Sequence, residues 1–161
     1  MIRYYKRQDN KLLELKKPEK NCWINVYPPF DHESLKQLGA IYKLPFDYLL
    51  DSLDIDERPR FERDDDIKLI VLKTPVYNDF LTDIDAQYIT IPIGIILAEE
   101  VIVTVSPYEN PVIDSMISGK VRGLDPGDRN MFVLSLFDRN VYHFLYYLNE
   151  INSKRNILEN E

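Results

Sequence analysis

Residues 88–105 read YITIPIGIILAEEVIVTV, and the composition of that stretch sets the fold class. Ile, Val, Thr and Tyr are the residues that fit a pleated, half-buried surface, so Tyr88 to Leu97 and Val101 to Val105 read as strands. The acid pair Glu99-Glu100 between them marks a tight hairpin. Working outward, Ile67-Lys68-Leu69-Ile70-Val71-Leu72 repeats the same character and leads to Pro75. Cys22-Trp23-Ile24-Asn25-Val26-Tyr27 does so again, closed by Pro28-Pro29, and reads as an inner strand. The first 20 residues alternate Ile2, Tyr4, Leu12, Leu13 and Leu15 with charges, which predicts a hairpin around Gln8-Asp9-Asn10.

Helical segments are interleaved with these strands. Asp31 precedes Leu35, Leu38 and Tyr42, spaced by three and four, so a helix from about His32 to Lys43 is expected with carboxylates at its start. Phe46 to Asp54 carries Tyr48, Leu49, Leu50 and Leu53 on one side. Asp47, Asp51 and Asp54 stand at i, i+4 and i+7, one face of a helix that Arg58-Pro59-Arg60 would end. Asn110 and Pro111 are a cap and first turn for a short helix to Ser118, with Gly119 as its stop. From Asp54 to Asp66 acids and arginines mix, which predicts a solvated loop with Asp64-Asp65-Asp66 as a polar turn. Beyond Gly127 the chain has neither Pro nor Gly, and Leu134, Phe137, Val141, Phe144, Leu148 and Ile151 recur at 3, 4, 3, 4, 3. A seven-residue pattern of that kind predicts a long helix packing on other helices. Its run to Glu161 without a C-cap is expected of a cut chain. The chain is therefore read as α/β, with an α/β domain over 1–125 and a helical segment over 126–161.

With 161 residues, 45% hydrophobic and 29% charged, the chain can bury a core and is expected to fold. Its formal charge of -7 disfavours nucleic acid, whose binders present a basic face. The longest uncharged stretch, Ala86 to Ala98, is interrupted by Pro92 and falls short of the roughly 20 apolar residues a spanning helix needs. The lone Cys22 and the charged start MIRYYKRQDN fit a reducing, cytoplasmic setting. No enzyme is expected. His32 and His143 stand near no nucleophile motif, and the five glycines form no phosphate loop. One Cys and two distant His give no zinc pattern. Carboxylates are plentiful, and hard divalent cations choose oxygen ligands. The Asp47, Asp51, Asp54 strip suits such an ion, and equally suits a plain solvated helix face.

Three stretches in order resemble the cytoplasmic N-terminal domain of the CorA-type magnesium transporters. They are Trp23-Ile24-Asn25-Val26 followed by a helix, Leu44-Pro45 through Leu49-Leu50-Asp51-Ser52-Leu53 to Arg58-Pro59-Arg60-Phe61-Glu62, and Ile70-Val71-Leu72-Lys73. The hairpin ending Val101-Ile102-Val103-Thr104-Val105 follows where that family has one. The resemblance implies a three-layer α/β/α fold with a mixed sheet between helices, ending in a long helix that would lead to a stalk. It implies a homopentamer in the full-length protein, joined to the cell membrane only through a C-terminal region absent from this chain and lying on its cytoplasmic side. The isolated fragment would be monomeric or weakly associating. Asp51 stands where the family binds a regulatory Mg2+ between protomers, and Asp138, in Ser135-Leu136-Phe137-Asp138, matches a second acid. Asp47 and Asp54 flank the first as further metal candidates. Leu50 departs from members that carry Glu there. Mg2+ would be both regulator and transported ion, with Co2+ or other divalent cations as alternatives. A freestanding soluble ligand- or protein-binding domain of the same fold, without a pore, is the competing expectation.

Overall fold

In the computed structural model, which describes residues 1–79 and 85–159, the chain opens with a hairpin of β1 (Ile2–Gln8) and β2 (Lys11–Leu15). Asp9 and Asn10 turn it, both at positive φ, a conformation short polar side chains tolerate. Then come β3 (Cys22–Val26), α1 (His32–Tyr42) and α2 (Phe46–Asp51). Asp31 caps α1, accepting from the Glu33 and Ser34 amides, and the Ser34 hydroxyl first, then these amides, hold its carboxyl below the usual range. A four-stranded meander follows, β4 (Arg60–Asp64), β5 (Ile67–Tyr77), β6 (Tyr88–Leu97) and β7 (Val101–Val105). Two helices close the chain, α3 (Pro111–Ile117), capped by Asn110, and α4 (Arg129–Glu159).

The sheet runs β2-β1-β3-β7-β6-β5-β4, and every pairing is antiparallel except β3 with β7. Alternate side chains of each strand point to opposite faces. On one face Ile24, Val26 and Val103 pack with Leu35, Leu38 and Leu49 of α1 and α2. On the other, Trp23, Ile93 and Ile102 pack with Met116 of α3 and Phe132 and Leu136 of α4. Helices on both faces of a mixed sheet make three layers, as expected. Trp23 is wholly buried and its indole N–H donates to Thr104 Oγ1 at 2.7 Å, so the polar edge of the largest core residue is satisfied. Pro75 and Pro92 both lie inside strands, opposite Thr90 and Lys73. Each sits beyond the end of the neighbouring strand on its other side, where a missing N–H leaves no ladder bond unmade.

Two expectations are corrected. The helix over 46–54 stops at Asp51, because the Ser52 hydroxyl turns back to the Tyr48 carbonyl and the Leu53 and Asp54 amides bond three residues back, a tighter winding. Asp54 therefore leaves the helix face that Asp47 and Asp51 share. The expected loop over 54–66 contains β4, which pairs with β5 from Arg60↔Val71 to Asp64↔Ile67. Its charges hid it, and they suit an edge strand that must not recruit another chain. The turn at Asp65 and Asp66 is as expected, with Asp65 at positive φ. The long helix α4 packs on α3 and on the sheet through Phe132 and Leu136, with Phe137 of the seven-residue stripe beside them. Leu134, Val141 and Leu148 of the stripe are 57%, 56% and 52% exposed. The expected run to Glu161 ends outside the described residues. Among the described residues no helix is long and apolar enough to cross a membrane.

Candidate metal centre

Asp51 closes α2, and its position is fixed by the residue after it. Ser52 is wholly buried and stands against Gly94 of β6, so closely that a Cβ on Gly94 would lie 1.8 Å from the Ser52 hydroxyl and 2.5 Å from its Cβ. The absent side chain lets the end of α2 rest on the sheet. From there Asp51 reaches Arg60 at the start of β4, whose guanidinium donates to Asp51 Oδ2 at 2.6 Å. Arg60 also bonds Glu62 Oε2 at 3.0 Å and pairs with Glu57. One cation thus holds three carboxylates. Partial burial works against the Arg60 charge, but the hydrogen bonds to Glu62 and Asp51 and the nearness of Glu57 outweigh it and raise its pKa.

The cluster combines one predicted residue with three that sequence reasoning did not select. Arg60 and Glu62 stand two apart on a strand and so share a face. That signal becomes readable only once β4 is recognised. Asp47 shares the exposed side of α2. Asp54 accepts from the Asp56 amide in the following turn. Asp138 is exposed on α4, in the layer across the sheet, so one chain does not bring it to Asp51. Among the described residues no group of three or more His, Cys, Asp or Glu is arranged to hold a metal ion. The donor set nevertheless fits a hard cation. Mg2+ keeps several waters and uses one or two carboxylates, and Asp51 is 38% exposed at the rim of a cluster with net negative charge. Within the chain an ion at Asp51 would compete with the Arg60 guanidinium for Oδ2.

The profile of the CorA-like Mg2+ transporter protein family matches residues 18–161. No curated protein sequence matches the chain. Among solved structures, the soluble domain of CorA from Methanocaldococcus jannaschii superposes with TM-score 0.79 at 20% identity, covering 99% of this chain and 63% of that one. The complete CorA magnesium transporter of the same organism gives TM-score 0.78 at 20% identity, over 99% of this chain and 50% of that one. The cytoplasmic domain of ZntB from Vibrio parahaemolyticus gives 0.71 at 13% identity, over 96% and 63%. At these identities the superpositions establish the fold, and the chain spans half to two thirds of each of those chains. The family match reaches from the loop before β3 through α4, and the chain belongs to the CorA-like Mg2+ transporter protein family.

Proposed function

We propose that this chain is the cytoplasmic metal-sensing domain of a CorA-like Mg2+ transport channel, in which divalent cations bound between protomers regulate transport. The observation that carries the reading is the family match over residues 18–161 with Asp51 held half-exposed at the end of α2. The chain carries -7, so copies packed side by side repel unless cations sit between their acidic faces. An ion closes the assembly only to the extent that it binds the closed arrangement more tightly than the open one. Asp51, with Asp47 and Asp54 nearby, supplies one protomer's half of such a site, Asp138 is a candidate for a second, and residues 126–161 begin the helical section that leads to the membrane. Mg2+, or Co2+ in its place, is then both cargo and feedback signal. Flux measurements on the full-length transporter in vesicles test this. Asp51→Ala is expected to relieve inhibition by Mg2+ on the domain's side, and unchanged inhibition overturns the reading.

A further inference from the structure

β3 and β7 are adjacent and parallel, yet the chain leaves them in opposite directions. After β3 it crosses to the face covered by α1, and after β7 to the face covered by α3. Diverging connections at the carboxyl ends of neighbouring parallel strands leave a crevice between them, where open α/β sheets take their ligands. A cavity of about 210 Å³ lies at that point, on the α3 side of the sheet.

Its walls carry opposite charges. Arg3 stands two residues before the core residue Tyr5 on β1, hence on the same face, and both line the cavity. The Tyr5 hydroxyl is buried, with the Arg3 side chain as its neighbour. Asn25 forms the floor at 6% exposure. Its Oδ1 accepts from Thr104 Oγ1 at 2.9 Å, and its side chain lines the cavity. Arg3 is half-exposed, interacts with the Tyr5 hydroxyl, has the Tyr27 ring beneath it and meets Glu14 at 3.7 Å. Across the cavity stand Asp114 of α3 and Glu109 before it. Asp114 and Glu109 are exposed on the cavity rim, and partial desolvation, then the proximity of Glu109, push the Asp114 pKa up. Two acids so placed gain from a cation between them, and the Asn25 amide can donate to an acceptor in the cavity.

We propose that this crevice binds a small zwitterion of amino-acid size, its acid group taken by Arg3 and Asn25 and its amine by Asp114 and Glu109. The site lies in the layer opposite α2, so it stands or falls independently of the metal reading. The test is titration of the isotope-labelled 161-residue chain with glycine, β-alanine and 4-aminobutyrate, which differ in amine-to-acid spacing, followed by amide chemical shifts. At least one should move the Asn25, Ser106 and Ile113 signals and saturate in the millimolar range, with acetate and methylammonium at least ~10-fold weaker. Arg3→Gln and Asp114→Asn should each weaken binding ~10-fold while the unfolding midpoint, read by Trp23 fluorescence, stays in place. Absence of shifts with all three, shifts scattered away from the crevice, or equal effects of acetate and methylammonium overturn the proposal.

Discussion

Arg60 decides what Asp51 can do within one chain. Its guanidinium satisfies the oxygen a cation would need, so Mg2+ binding by the isolated domain is expected to be weak, in the millimolar range. Arg60→Gln removes the competitor and leaves Asp51, Glu57 and Glu62 without their shared counter-charge. Calorimetric titration of that variant should show Mg2+ bound several-fold more tightly than by the parent chain. A second residue ties stability to pH. His143 Nε2 is buried without a hydrogen bond. Burial first, then Arg139 and Lys120, lower its pKa from 6.5, against a hydrogen bond to the Pro111 backbone. The folded chain therefore resists a proton that the unfolded chain accepts, so stability falls as pH drops below about 6.5 and levels off below the folded pKa. His143→Gln should flatten that slope in urea titrations between pH 7 and 5. At this scale the capping residues Asp31 and Asn110 were legible, because a cap acts on amides two or three positions away. Arg60 was not, because its partners come from a helix end, a turn and a strand.

At the scale of elements, the junction of α2 with β6 carries the site. Gly94→Ala places a methyl group inside van der Waals contact of Ser52, whose own Cβ cannot rotate away. The end of α2 must lift, at a cost of about 1–3 kcal/mol, and Asp51 moves with it. Denaturant unfolding should show that loss, and adding Ser52→Gly should recover most of it, a coupling that a double-mutant cycle measures. The central strands were legible because their side chains are buried on both faces and their β-rich runs are nearly continuous. β4 was not, since an edge strand whose outer residues face water has no apolar alternation to display. The end of α2 was also hidden. Leu53 continues the helical spacing on paper, and only the Ser52 hydroxyl turning back to Tyr48 and the tight amide bonds after it show where the winding changes.

For the molecule as a whole, the outward stripe of α4 matters most. Leu134, Val141 and Leu148 repeat every seven residues on a face the sheet does not cover. Apolar repeats of this spacing favour a second helix alongside. In the 161-residue chain that tendency should appear as concentration-dependent association in sedimentation velocity. Changing all three residues to Gln should abolish the association and leave the unfolding midpoint nearly unchanged, because the positions are already solvated in the single chain. The stripe was plain in the sequence, but its use was not. Period alone cannot say which of two apolar faces the sheet will select, and Phe132 and Leu136 won by lying over Trp23 and its neighbours.

The lone parallel pairing also shapes how the chain assembles. β1, β2 and β3 form one run of neighbours, and β4 to β7 form another by short-range hairpins apart from the longer β5–β6 connection. In the sheet the two runs pair where residues 22–26 align with 101–105. Each run can zip locally, whereas that seam must close a loop of some eighty residues before any of its contacts form. Docking of the two runs is therefore expected to be the slow event in folding, with the Trp23–Thr104 bond that spans the seam formed on its completion.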